Sequence, residues 1–192
     1  MATVLLFHHA LGQTPGFLAF ADELRVAGHT VYTPDLFDGK TFATIEEGLA
    51  HVEQTGGFEE LIRRGTATAD GLPSDIVYAG FSLGVVSAQK LAQTRPGARG
   101  AILCSSCVPA SAFGAWPTGV PVEIHINEHD TWAEEDLPAA RDLARDVPRA
   151  ELFLYPGSGH YFADPSFHDY DESSAKLLMK RTLQFLRRVG TS

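Results

Sequence analysis

The residues with the clearest capacity for chemistry lie in the run Gly80-Phe81-Ser82-Leu83-Gly84, a G-x-S-x-G pattern. It follows the apolar stretch 76–79 and precedes a segment with helical spacing. In that setting the pattern forms a tight strand-to-helix elbow that lifts the serine oxygen into a cleft. Strand and helix then pass so closely that positions two before and two after the serine must be small, which accounts for Gly80 and Gly84. The positive end of the following helix faces any negative charge that develops beside Ser82. A serine hydroxyl needs a base to become a useful nucleophile. His160, on the glycine-rich run Gly157-Ser158-Gly159-His160, can supply it, and Asp130, after His125-Ile126-Asn127-Glu128-His129, can orient the imidazole. Glu128 is a rival acid but comes earlier at the strand end. His168 is a rival base but lies in an acidic stretch close to the last helix. A tetrahedral oxyanion needs two N–H donors, assigned here to the backbone of Leu83 and of Ala10 in the loop His8-His9-Ala10-Leu11-Gly12.

Two kinds of apolar segment must position these residues. Short continuous runs at 4–7, 30–33, 76–79, 101–104, 122–126 and 151–155 read as strands buried on both faces. Between them lie helical segments. Thr14-Pro15 starts one that Gly28 closes. Thr44 and Glu47 make a capping box ahead of Leu49 and Val52, and Gly56-Gly57 separates this helix from 58–64. Further helices are expected over 83–95, stopped by Pro96, within 134–147, and over 172–189. Strands and helices alternate, so the fold class is α/β, a mostly parallel, doubly wound sheet of about six strands with helices on both faces. The length, 192 residues, fits one domain spanning 1–192. Ligands of such sheets bind at the carboxyl ends of the strands, where Ser82, Asp130 and His160 all fall.

The net charge of -9 repels phosphate backbones and argues against a nucleic-acid partner. No apolar run reaches 18 residues, and the first residues lack a basic segment ahead of a long apolar one, so the expectation is a cytoplasmic protein without a membrane partner. Two cysteines, Cys104 and Cys107, make no disulfide framework. Neither G-x-G-x-x-G nor a P-loop follows the first strand, so no nucleotide cofactor is expected. His8, His9, His125 and His129 show no recognisable metal-ligand spacing, so no metal is expected either.

In the loop ending at Gly12, in Tyr32-Thr33-Pro34-Asp35-Leu36-Phe37, in the serine elbow, in Glu128-His129-Asp130 and in Gly159-His160-Tyr161-Phe162, the chain resembles the dienelactone hydrolase family over nearly its whole length. The resemblance implies a compact α/β-hydrolase with sheet order 2-1-3-4-5-6 and a carboxylic ester hydrolase activity on a small-molecule substrate. Three positions depart from founding members. Those use cysteine where this chain has Ser82, carry a glutamate where it has His9, and carry an arginine, which grips the substrate carboxylate, where it has Asp164. An acid there repels a carboxylate and argues against dienelactone itself as substrate.

The reading is a serine hydrolase cleaving a small ester, lactone or thioester through an acyl-enzyme on Ser82. The alternative is a non-catalytic binding protein on a hydrolase scaffold; loss of catalysis would leave one of the three positions substituted, and none is. Pocket residues are less determined. Phe113 and Trp116, in the apolar stretch 108–116, either line the pocket or pack between strand and helix. His9 either contacts substrate or shapes its loop, and Tyr161 is grouped with it as a pocket residue.

Overall fold

The computed structural model describes residues 1–190; Thr191 and Ser192, the end of the expected domain, lie outside the described residues. Six parallel strands form one sheet: β1 (Thr3–Phe7), β2 (Thr30–Tyr32), β3 (Val77–Phe81), β4 (Gly100–Cys104), β5 (Val122–Asn127) and β6 (Ala150–Tyr155), in the order 2-1-3-4-5-6. This is the order that the resemblance implies.

Alternation along each strand divides the core into two layers. Val4, Leu6, Val77, Ala79 and Ile102 face α1 (Pro15–Val26) and α6 (Glu172–Gly190), whose Phe17, Leu24, Leu178 and Phe185 cover them. Leu5, Phe7, Tyr78, Leu103 and Ile124 face the other way, toward α2 (Ile45–Gln54), α3 (Gly57–Ala67), α4 (Gly84–Thr94) and α5 (Leu137–Asp146). The three central strands β3, β4 and β5 are buried throughout, while the edge strands β2 and β6 are partly exposed. The sequence pattern hid that difference: Leu154 is apolar yet exposed on β6.

Local chemistry sets the helix ends. The Thr14 hydroxyl accepts from the Phe17 N–H with Pro15 in the first turn. Thr44 accepts from the Glu47 N–H, and the Glu47 carboxylate accepts from Ala43, one residue before the position a capping box predicts. Gly56 and Gly57, both at positive φ, separate α2 from α3. Arg95, extended because it precedes Pro96, ends α4.

Candidate active site

Ser82 sits at φ 48°, a left-handed conformation that costs a non-glycine residue of order 1–3 kcal/mol. The close approach that the elbow requires is present. A Cβ at Gly80 would lie 2.5 Å from the Gly84 backbone, and one at Gly84 would lie 2.6 Å from the carbonyls of Phe7 and His8. The Ser82 N–H donates to the Cys104 carbonyl at 2.7 Å, which ties the turn to β4. The helix begins at Gly84 rather than at Leu83, which serves as its cap.

Ser82, His160 and Asp130 come together in a chain of hydrogen bonds. Ser82 Oγ lies 2.7 Å from His160 Nε2, and His160 Nδ1 lies 2.6 Å from Asp130 Oδ2. Asp130 and His160 are both 4% exposed, while Ser82 is half-buried at the floor of a cleft. Several bonds fix the imidazole. Ser105, itself at φ 60°, donates its hydroxyl to the His160 carbonyl at 2.7 Å. Asn127 donates to the Gly159 carbonyl at 2.7 Å, and Asp169 accepts from the His160 N–H at 3.1 Å. Asp130 Oδ1 accepts from the Trp132 N–H at 3.0 Å, so each of its oxygens has a partner. The rival base His168 is exposed and pairs with Asp169 instead.

Leu83 and Ala10 flank Ser82 at the cleft wall. Ala10 is pinned by α2: a Cβ at Gly48 would fall on the Ala10 carbonyl oxygen, so only glycine lets the helix close on this loop. The cleft has a volume of about 230 Å³. Apolar side chains of Ile45, Leu49, Phe58, Val86, Val108 and Trp132 line it, together with the carboxylate of Asp136. Burial raises the Asp136 carboxyl above its ordinary value, although the Ser106 hydroxyl at 2.6 Å and the Cys107 N–H oppose the rise. A second groove of about 330 Å³ opens on the other side of His160 and Trp132, walled by Glu46, Phe167 and His168.

Three of the residues expected at the pocket, Phe113, Trp116 and His9, lie away from the cleft. Phe113 and Trp116 do not line the cleft. Gln89 and Gln93 of α4 bind the carbonyls of Val108, Ala110 and Gly114 and draw the segment away across the helix, so that only Val108 of it reaches the cleft. Trp116 donates instead to the Val120 carbonyl at 2.8 Å. His9 does not line the cleft either; it is buried behind it, with Nε2 2.9 Å from Asp164 Oδ2 and Nδ1 accepting from the Leu11 N–H. Asp164 is likewise turned inward, accepting also from Thr14 and from the Ser166 N–H. Burial raises its carboxyl, but these bonds outweigh burial and hold it below the ordinary value. Burial holds His9 below the usual histidine value in spite of Asp164. The acid facing the cleft is thus Asp136 rather than Asp164. Tyr161 is buried between His9 and His160, at ring separations of 4.5 and 4.8 Å.

Among the described residues no group of three or more His, Cys, Asp or Glu side chains converges as metal ligands, and no helix is long and apolar enough to cross a membrane. His125 lies within β5, where its Nδ1 meets the Tyr155 hydroxyl at 2.9 Å. Cys104 and Cys107 are buried free thiols, both pushed up by burial.

A six-stranded parallel sheet in this order, with a strained serine elbow after its central strand, defines an α/β-hydrolase. The sequence matches the model of the dienelactone hydrolase family over residues 1–190, and the chain belongs to that family, whose members are hydrolases of ester-like substrates. Solved structures share its fold at low identity. A dienelactone hydrolase-like promiscuous phosphotriesterase, P91, from metagenomic libraries is 15% identical, with a TM-score of 0.77 over 98% of this chain and 87% of that one. Est1E of Butyrivibrio proteoclasticus, solved with ferulic acid bound, is 15% identical, with a TM-score of 0.72 over 100% of this chain and 90% of that one. Esterase PE8 is 17% identical, with a TM-score of 0.61 over 98% and 92%. No curated protein sequence matches the chain.

Proposed function

We propose that the protein is a serine hydrolase that cleaves small, uncharged carboxylic esters, lactones or thioesters through an acyl-enzyme on Ser82. The observation that carries this reading is the continuous hydrogen-bond chain from Ser82 Oγ to His160 Nε2 and from His160 Nδ1 to Asp130. In the first step Ser82 Oγ bonds to the carbonyl carbon and gives its proton to His160 Nε2. Asp130 holds the Nδ1–H and stabilises the imidazolium that forms. The carbonyl electron pair moves to oxygen, where the N–H groups of Leu83 and Ala10 receive it. Collapse of the intermediate expels the alcohol or thiol, which takes the proton from His160. Water then repeats the sequence on the acyl-enzyme and releases the acid.

The cleft supports the substrate class. Its walls are apolar, it is open, and it has room for a small acyl group. Among the described residues, Asp136 is the one carboxylate on its wall and no lysine or arginine lines it, so a substrate carboxylate finds no partner there. The groove beyond His160 is the natural exit for the leaving group, since His160 must protonate it.

The test is labelling of the folded protein with a fluorophosphonate, followed by mass spectrometry. The expected result is one adduct, on Ser82, absent from His160→Ala. Retention of full esterase activity by Ser82→Ala would overturn the reading.

A further inference from the structure

The hydroxyl of Tyr161 is buried in the protein, where a polar group without a partner is uncommon and costs about 1–3 kcal/mol. The oxygen lies beside two groups, the Ser82 side chain and the Ala10 N–H. It makes a hydrogen bond of good geometry with neither. These are the nucleophile and one of the two amides assigned to the oxyanion, so the unpartnered hydroxyl borders the place where negative charge would form.

We propose that Tyr161 is a catalytic residue whose hydroxyl donates a third hydrogen bond to the oxyanion, alongside the Leu83 and Ala10 amides. The proposal rests on the reading of Ser82 as nucleophile. As the Ser82 Oγ–carbon bond forms, the carbonyl π pair becomes a lone pair on oxygen, and the Tyr161 O–H turns its hydrogen onto that oxygen. Tyr161 keeps its proton throughout; the proton that moves is that of Ser82, which goes to His160 Nε2. Burial pushes the Tyr161 hydroxyl above the ordinary phenol range, so it remains a donor at neutral pH and cannot serve as the base.

The ring is held for this task. It is packed between His9 and His160 and meets Phe167 edge-on at 5.3 Å. His9 is itself fixed by Asp164 and by the Leu11 N–H. The resting hydroxyl has no hydrogen bond to give up, so turning its hydrogen onto the oxyanion breaks none. The position is readable in the sequence only as the residue after His160. What its hydroxyl meets depends on the loop after β1, some 150 residues away.

The test is Tyr161→Phe, which removes one oxygen and keeps the ring. Hydrolysis of p-nitrophenyl acetate and inhibition by a trifluoromethyl ketone, which forms a tetrahedral adduct with an oxyanion, are measured on both proteins. The expected result is a fall in kcat of about 100-fold, the size seen for loss of one oxyanion donor, with KM unchanged. Ketone affinity should fall by a similar factor. The melting temperature should stay level or rise, because an unsatisfied buried hydroxyl has been removed. A kcat within about threefold of the parent, a rise in KM alone, or a drop in melting temperature without loss of ketone affinity would each overturn the role. Fluorophosphonate labelling separates the two readings. If the parent protein is not labelled at Ser82, the acyl-enzyme itself fails; if it is labelled and Tyr161→Phe hydrolyses normally, only the role of Tyr161 fails.

Discussion

Two histidine–aspartate pairs lie on opposite sides of Tyr161, and they differ in what their second ring nitrogen meets. In the pair His160–Asp130, Nδ1 faces the carboxylate and Nε2 faces Ser82 Oγ at 2.7 Å, at the floor of an open cleft. In the pair His9–Asp164, Nε2 faces the carboxylate at 2.9 Å and Nδ1 accepts a backbone N–H from Leu11. Both pairs are almost wholly buried. On the proposed reading, burial and a carboxylate partner do not make a histidine a general base; the hydroxyl at the remaining nitrogen sets His160 apart. The second pair acts as a prop. It ties the loop after β1 to the loop after β6 and gives Tyr161 a ring to pack against, 4.5 Å away and tilted by 34°.

The largest effects break the first pair. Asp130→Asn should lower kcat for ester hydrolysis by about 10⁴-fold, the scale found when a serine–histidine–aspartate hydrolase loses its carboxylate. Stability should change little by comparison, and urea unfolding checks this on the same protein. An Asp130→Asn variant with near-normal kcat would place the acid elsewhere.

Next in size is an effect of pH on the histidines that do no chemistry. Burial lowers His8 to about 4 and also lowers His9 and His125. The Leu36 N–H donates to His8 Nε2, and His8 Nδ1 meets the His9 carbonyl, so the neutral ring satisfies both contacts and a protonated ring would set two donors against each other. The unfolded chain binds these protons near pH 6.5 and the folded chain does not. Stability is thus full above pH 6.5 and falls as pH drops from there toward 4, with His8 alone contributing about 3 kcal/mol to the loss. Urea midpoints at pH 7.5, 6 and 5 should fall in that order. A flat series would mean that these rings are solvated or already charged.

A smaller effect sharpens the contrast from the other side. Asp164→Asn removes a carboxylate that accepts from His9, Thr14 and Ser166. It should cost about 1–3 kcal/mol in urea unfolding, the range for charged hydrogen bonds. Through a loosened Tyr161, kcat should fall by about tenfold or less, orders of magnitude below the Asp130→Asn effect. Equal losses of activity from the two substitutions would erase the distinction between the pairs.

The sequence made one pair legible and concealed the other for a physical reason. The elbow depends on neighbours: Gly80 and Gly84 flank Ser82 because backbones pass within 3 Å of where their Cβ atoms would sit. Asp130 and His160 follow strands whose order can be counted, so their convergence comes from topology alone. His9 and Asp164 meet across 155 positions, and nothing local to either marks the partner. The inward turn of Asp164 depends on Thr14, a helix cap whose hydroxyl also donates to that carboxylate. For Phe113 and Trp116 the sequence left pocket lining and packing equally open for a similar reason. Their apolar character suits a pocket wall, but buried Gln89 and Gln93 on α4 capture the backbone of that segment. Ile45, Leu49 and Phe58 reach the cleft only through the docking of α2 and α3, which no spacing encodes. Trp132, two residues past Asp130, was the pocket residue closest to a readable signal.

The smallest effect concerns the acid that the cleft does present. Asp136 faces the space above Ser82, while the acid at the position of the family's arginine is spent on His9. A substrate carboxylate near Asp136 meets a like charge at a half-buried site, worth about 1 kcal/mol where the effective dielectric is well above that of a dry interior. Asp136→Asn keeps an acceptor for the Ser106 hydroxyl and the Cys107 N–H but removes the charge. For a matched pair of esters, one neutral and one bearing a terminal carboxylate, the substitution should raise kcat/KM of the anionic ester by about fivefold relative to the neutral one. The change should appear mostly in KM and shrink as salt is added. A selectivity ratio that does not move would show that the carboxylate of the substrate binds away from α5, in the groove beyond His160, and the two sides of His160 would then exchange roles as acyl and leaving-group sites.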